Sequence, residues 1–305
     1  MFSEGLVGQL GRLSARQNQL QQQASTGQRI SLPEDDPGAV RRTLDLQAEA
    51  SVVAQQRKNI TVLKDRATVS YGALNALKRI SDRAGELATL ADGTKSPDDL
   101  KNYAAEVTQL IKQAAQLANT KSHGDYIFAG TKSDQPAFVL STNGTGQVTA
   151  VTYQGNASVA QSEVAENLTA TAQVVGANTS GSGPRGLFTD SGAGADFFNH
   201  LISLQNNLQA GNATAVNSTD LPALLKDEDN FLFHLAQNGA VQASLDTSDT
   251  LAANRSQSVG TLISGEMDAD LAQTMVQLSQ TQNAYRAALQ SGGTILNISL
   301  LDYLH

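Results

Sequence analysis

Few residues of this 305-residue chain are of types that could bind a nucleotide, phosphate or metal, and their spacing or sequence context does not match the known motifs for these ligands. Gly181, Gly183 and Gly186 spell the G-x-G-x-x-G pattern that can hold a dinucleotide pyrophosphate. That function requires a strand before the first glycine and a helix that begins at the motif. Here the motif follows Ala177-Asn178-Thr179, which we do not expect to form a strand. A flexible loop is therefore the expectation, and a nucleotide-binding enzyme that uses Gly181–Gly186 is a remote alternative.

Other candidate sites fail on spacing as well. The stretch from Gly124 to Ser133 misses the spacing of a phosphate-binding loop, so we expect a turn that enters a β region. The histidines lack the separations typical of metal ligands; they are His123, His200, His234 and His305. The chain has no cysteine, which excludes disulfides, thiolate metal ligands and a thiol nucleophile. We expect no catalytic residue, no metal and no cofactor.

The charge balance excludes further classes of partner. The net charge is −8 and the pI is about 5.0, whereas nucleic-acid binding needs clustered Lys and Arg. No stretch reaches about 18 uninterrupted apolar residues, and residues 1–30 lack the pattern of a secretory signal peptide. We expect neither nucleic-acid binding nor membrane insertion.

Both ends of the chain are nearly free of charge. Between Gly5 and Gln28 the ionic residues are Arg12 and Arg16, and between Leu271 and Leu301 the ionic residue is Arg286. Gln, Ser, Asn and Thr occupy the positions where a solvent-exposed helix usually carries Lys and Glu. The terminal segments are therefore expected to be covered on more than one side.

Both ends also have a heptad pattern. The N-terminal heptad positions are Leu6, Leu10, Leu13, Gln17, Leu20 and Ala24. The C-terminal heptad positions are Leu271, Met275, Leu278, Gln282, Tyr285, Leu289, Gly292 and Leu296. Steps of four and three residues alternate in each set, which is the period of a coiled-coil seam. Two unrelated amphipathic helices would also fit, but matching seams at opposite ends favour an antiparallel coiled-coil pair.

The remainder of the chain reads as helices around a β-rich insertion. Asp36 before Pro37 is typical of a helix start, and Ser96 before Pro97 restarts a helix after the break near Gly93. Period-two patterns at 138–140, 148–153 and 168–175 predict strands, and helical spacing returns at Phe197.

The predicted fold is thus mainly α with an inserted β domain. We expect a terminal coiled-coil domain (1–32 and 268–305), an elongated helical bundle (33–130 and 193–267) and a small outer β-rich domain (131–192).

Ala24–Ile30 followed by Pro33–Pro37 resembles the N-terminal signature of the bacterial flagellin family, which includes the hook–filament junction proteins. Three features are similar to the junction proteins rather than to filament flagellins. They are Pro37 after Asp35-Asp36, where filament flagellins usually continue Asp-Asp-Ala-Ala-Gly, the segment Asp125–Lys132, and the ending Ile298–Leu304. A filament flagellin remains the alternative.

The resemblance implies a structural protein without catalytic activity. Such a subunit would leave the cell unfolded through the flagellar type III export apparatus, without a cleaved signal peptide, and act in the extracellular flagellum. It would self-associate in a ring or tube through its terminal helices. Its expected partners are the other hook-associated junction protein, flagellin and an export chaperone.

Overall fold

The computed structural model describes residues 2–303, and the side chains of residues 5–294 among them. The chain divides into two compact units. The first consists of Met1–Ala54 with Asn254–His305, and the second of Gln55–Ala253. Both terminal helices belong to the first unit, and all strands of the described residues belong to the second. The finer division into three domains stays a prediction.

Helices account for most of the chain. They are α1 (Phe2–Thr26), α2 (Pro37–Leu90), α3 (Pro97–Ala118), α4 (Phe197–Gln209), α5 (Ala213–Ala215), α6 (Leu221–Met267) and α7 (Leu271–Tyr303). A π-helix, Val216–Asp220, joins α5 to α6. The order of helices, strands and helices confirms the predicted fold class. Within the part of the chain that the structure describes, no helix is long and apolar enough to cross a membrane.

The strands are short and form four small sheets. They are β1 (Lys121–Ser122), β2 (Asp125–Tyr126), β3 (Phe138–Thr142), β4 (Val148–Tyr153), β5 (Ser162–Ala165), β6 (Leu168–Ala170), β7 (Val175–Asn178), β8 (Gly186–Asp190) and β9 (Ala195–Asp196). Pairs β1–β2, β3–β4 and β5–β6 are antiparallel. Strand β8 lies between β7, to which it is parallel, and β9, to which it is antiparallel.

Two helix starts have the caps that the sequence predicts. Asp36 Oδ1 accepts a hydrogen bond from the backbone N–H of Ala39 at 3.0 Å. Helix α3 begins with a capping box, in which the Ser96 hydroxyl accepts from the N–H of Asp99 at 3.2 Å and the Asp99 carboxylate accepts from the N–H of Ser96 at 3.3 Å. In both cases a proline occupies the first turn, where a missing N–H costs nothing.

The second half of α2 packs antiparallel on α3. Arg83 Nε donates to Glu106 Oε1 at 2.6 Å, and farther back along α2 Ala76 lines the same surface groove as Leu117. Residue numbers therefore rise along α3 as they fall along α2, as the short connection between the helices predicts.

A cluster of aromatic rings forms the centre of the second unit. Phe188 of β8 is fully buried, and its ring centroid lies 4.8 to 6.4 Å from those of Phe128, Phe138, Phe197, Phe198 and Phe231. Edge-on and offset contacts of this kind add to the stabilisation that burial provides. The β region therefore shares its core with α4 and α6.

The β region differs from the expectation in one place. The strand expected over 168–175 is divided into β6 and β7, because Thr171–Val174 leaves the ladder between them. The turn expected between Gly124 and Ser133 is present at 127–128 and 130–131, ahead of β3, and a further turn at His123 and Gly124, with φ values of 53° and 94°, joins β1 to β2. Positive φ at both turn residues is typical of a tight hairpin turn.

Candidate functional site

The terminal helices α1 and α7 pack against each other in antiparallel directions. A Cβ on Gly292 would lie 2.5 Å from Leu6 Cδ2, so these residues are in close contact near one end of the pair. Farther along, Arg16 donates to Gln277 Oε1 at 3.2 Å, and at the other end the N–H of Arg29 donates to the Met267 carbonyl at 2.7 Å. Residue numbers rise on α1 as they fall on α7.

On α1 the predicted seam residues are the covered ones. Leu20 is fully buried, and the remaining predicted positions are half-buried: Leu6, Leu10, Leu13, Gln17 and Ala24. The residues between them are mostly exposed, as a one-sided contact with α7 requires.

On α7 the covered stripe differs from the predicted seam. The covered positions are Thr274, Leu278, Thr281, Tyr285, Ala288 and Gly292, which again alternate steps of four and three. Of the predicted residues, Gly292 is buried and Leu278, Gln282 and Tyr285 are half-buried, whereas three are exposed: Leu271 (51%), Met275 (57%) and Leu289 (48%). The side chain of Leu296 lies outside the described residues.

Small side chains explain this difference. Thr274, Ala288 and Gly292 let α1 approach closely, and the Thr281 hydroxyl is satisfied by the Gln277 carbonyl of its own helix at 2.8 Å. The sequence pattern favoured Met275 and Leu289 over their neighbours Thr274 and Ala288, because small and hydroxyl side chains give little hydrophobic signal.

The three exposed residues Leu271, Met275 and Leu289 form what we call the outer stripe of α7. They lie beside the covered stripe, because Met275 and Leu289 are 14 positions apart and so occupy the same heptad position. The exposed neighbour Ser279, four residues after Met275, is uncharged, whereas Asp270 precedes Leu271 and the exposed Arg286 lies three residues before Leu289. The outer stripe is therefore an apolar surface with charged residues at its edges.

A polar joint holds the base of the helix pair. Arg42 makes two hydrogen bonds of 2.9 Å to the carboxylate of Glu266, while Arg29 Nη2 donates to the Glu266 carbonyl at 2.8 Å. The hydrogen bond from Arg42 lowers the pKa of Glu266 below its ordinary value, and the same bond raises the pKa of Arg42. Arg29 also lies 3.3 Å from Asp36. Sequence reasoning missed this joint because its members are more than 200 positions apart.

The glycine loop Gly181–Gly186 does not form a nucleotide site. Contrary to our expectation, the strand β7 does precede it, but the loop leads into strand β8 instead of opening a helix. The loop is also tied down, because Asn178 Nδ2 donates to the carbonyls of Ser182 at 2.8 Å and Pro184 at 2.7 Å. Without a helix N-terminus there is no dipole or free N–H array for a pyrophosphate.

The described histidines have separate surroundings, and His305 lies outside the described residues. His200 Nδ1 lies 2.7 Å from the Asp227 carboxylate, and His234 Nε2 lies 3.2 Å from the Gly186 carbonyl. His123 is exposed, 3.7 Å from Asp65. Among the described residues, no group of three or more acidic or histidine side chains could hold a metal ion.

Comparison with known proteins gives consistent matches. Residues 7–133 match the family model of the bacterial flagellin N-terminal helical region. Flagellar hook-associated protein 3 of Salmonella typhimurium is 24% identical over 317 residues, which cover 99% of this chain and 97% of that protein. The Escherichia coli protein of the same name is 31% identical over 119 residues, 38% of each chain.

A solved structure shares the fold. It is described as a flagellar hook-associated protein from Vibrio parahaemolyticus. Its comparison with this chain gives a TM-score of 0.64 at 21% sequence identity. The likeness covers 77% of this chain and 100% of that one. With a match to the flagellin N-terminal region over residues 7–133 and a hook-associated relative along nearly all of its length, the chain is similar to proteins of the bacterial flagellin family.

Proposed function

We propose that this protein is a structural subunit of the bacterial flagellum that joins the hook side to the flagellin filament. The support is the similarity along 99% of the chain to Flagellar hook-associated protein 3. The second relative has the same name, and neither is named as a filament flagellin, which is the alternative function. The role is structural and needs neither a catalytic residue nor a cofactor.

The outer stripe of α7 carries the proposed mechanism of assembly. Leu271, Met275 and Leu289 remain about half exposed in the isolated chain although they have heptad spacing. Covering the exposed half of each side chain contributes about 1 kcal/mol. A second subunit that covers the stripe would leave Arg286 and Asp270 at the rim of the contact, because burying an unpaired charge is costly. Subunits would therefore self-associate in a ring or tube, with the outer stripe against a neighbour.

The same proposal assigns partners and a location. At the junction the subunit contacts the other hook-associated junction protein and flagellin. An export chaperone accompanies it before it leaves the cell through the flagellar export apparatus, without a cleaved signal peptide. The absence of cysteine suits this route, because an unfolded chain without thiols cannot form disulfides in transit.

Deletion of the gene distinguishes the junction protein from a flagellin. Loss of a junction protein leaves hooks without attached filaments while flagellin is released into the medium. Loss of a sole filament flagellin leaves hook and junction intact and releases no flagellin. Electron microscopy of the cells detects attached filaments, and immunoblots of the medium detect released flagellin. Firmly attached filaments in the deletion strain would contradict the proposal.

Complementation with point variants tests the outer stripe. We expect Leu289→Asp to be stably folded but to leave hooks without filaments, because the charge would be buried against the neighbouring subunit. The matched control is Gln280→Asp, which adds the same charge on an exposed position five residues from Met275, about 140° around the helix. Restored filaments with Leu289→Asp, or equal failure of both variants, would count against this surface.

A further inference from the structure

A cavity of about 400 Å³ lies in the second unit, between α6 and the segments on either side of β7. Its walls are largely apolar and include Val159, Val174 and Val241. A few polar side chains reach it, among them Arg185 and Gln237. Pockets of this size and composition are typical of sites for small organic ligands.

Arg185 is held in a fixed position at this cavity. Its Nε donates to Asn230 Oδ1 at 2.6 Å, and its guanidinium carbon lies 4.3 Å from the centroid of the Phe233 ring. Asn230 is itself fixed, because it is fully buried and its Nδ2 donates to the carbonyls of Gly186 at 2.9 Å and Leu187 at 2.7 Å. The side chain of Arg185 is thus ordered before any ligand arrives.

The Nη1 and Nη2 atoms of Arg185 have no hydrogen-bond or ion-pair partner among the described residues. Within residues 5–294, no hydrogen bond or ion pair engages Nη1 or Nη2, and no acidic side chain lines the cavity. His234 also lines the cavity, but burial lowers its pKa to about 4, so it is neutral near pH 7. Arg185 therefore supplies the positive charge of the cavity lining.

We propose that this cavity binds a small organic monocarboxylate with an apolar body. The carboxylate accepts parallel hydrogen bonds from Nη1 and Nη2 of Arg185, a geometry that a guanidinium matches and an ammonium does not. The apolar body packs against the valine side chains. A phosphate is the poorer fit, because its second charge would meet no second cation in this lining.

Isothermal titration of the full chain with 4-phenylbutyrate tests the proposal. We expect saturable binding of one molecule per chain. The amide of the same compound, 4-phenylbutyramide, keeps the body and removes the charge, so it should bind at least about tenfold more weakly. Failure of 4-phenylbutyrate to saturate the protein, or equal binding of the acid and the amide, would overturn the proposal without any mutation.

Variants locate the binding site. Arg185→Gln should weaken binding of 4-phenylbutyrate at least about tenfold, and Arg185→Lys, which keeps the charge and loses the planar fork, should also weaken it. The control is Arg57→Gln, which removes an arginine that is exposed and 3.8 Å from Asp249, and which should bind as the wild type does. Circular dichroism checks that each variant is folded. Undiminished binding by folded Arg185→Gln or Arg185→Lys would contradict the assignment.

Discussion

Two adjacent glycines in α7 allow a stringent test of the pairing of α1 with α7. Gly292 is buried, and an added Cβ would lie 2.5 Å from Leu6 Cδ2. The same atom on Gly293 would meet nothing within 4 Å. Both lie within the helix, where alanine is more favourable than glycine by about 1 kcal/mol. Gly293→Ala should therefore stabilise α7 locally by about that amount.

Gly292→Ala gains the same helical preference but forces Leu6 to move. Overpacking of this kind costs about 1–3 kcal/mol, so the net effect ranges from neutral to a loss of about 2 kcal/mol. The two variants should thus differ by about 1–3 kcal/mol although the chemical change is identical. Adding Leu6→Ala removes the obstructing methyl group, and in that background both alanines should stabilise α7 equally.

Amide hydrogen exchange of α7 peptides, followed by mass spectrometry, measures these differences. A gap of 1–3 kcal/mol corresponds to an approximately 5- to 150-fold difference in exchange rate between the two variants. Equal protection of Gly292→Ala and Gly293→Ala in the wild-type background would refute the close contact of α7 with Leu6. So would a gap that persists unchanged after Leu6→Ala.

Three further predictions concern the second unit. Burial opposes the charged form of His200, but the hydrogen bond to Asp227 and its negative charge outweigh burial and raise the pKa of His200. Charged His200 therefore stabilises the folded state fully below a pH of about 6.5, and this stabilisation is lost as the pH rises through the raised pKa. NMR titration should place the pKa of His200 above 6.5, and below it in Asp227→Asn; equal values would contradict the pairing. Because burial lowers the pKa of His234 to about 4, the folded state should lose about 3 kcal/mol as pH falls from 6.5 to 4, and urea unfolding of His234→Gln should lack that slope. Phe188→Ala should cost about 3–5 kcal/mol in urea unfolding, far more than Phe233→Ala at a half-exposed ring, and similar losses would contradict the aromatic core.

Local features of the fold were predictable from local sequence. Asp36 and Ser96 before prolines predicted helix starts, because a side-chain acceptor followed by a residue without N–H suits only the first turn. The heptads of α1 were predictable for a similar reason. Leu residues alternate there with polar ones, so the covered face and the apolar face coincide.

The register of α7 could not be derived from apolarity alone. Two heptad stripes run side by side on this helix, and Met275 and Leu289 belong to the exposed one, whereas Leu278 and Tyr285 belong to the covered one. The covered stripe also contains Thr274 and Ala288, whose small size matters only once a partner helix is present. The sequence pattern thus includes part of the covered stripe but not its small side chains.

Two further pairings were beyond the sequence. The parallel pairing of β7 with β8 goes with a glycine loop between the strands to which the Asn178 side chain is hydrogen-bonded. The joint between Arg42 and Glu266 links positions that only the completed fold brings together. Neither has a periodic signature in the sequence.

Photo-crosslinking tests whether the outer stripe of α7 contacts a neighbouring subunit in the assembled flagellum. A benzophenone amino acid placed at Leu289, and separately at Gln280 as the control, would attach to whatever lies against each position on irradiation. We expect higher-mass adducts from position 289 in intact flagella and not in the isolated chain, and few or none from position 280. Absence of adducts from position 289 in intact flagella, or equal yields from both positions, would contradict this expectation.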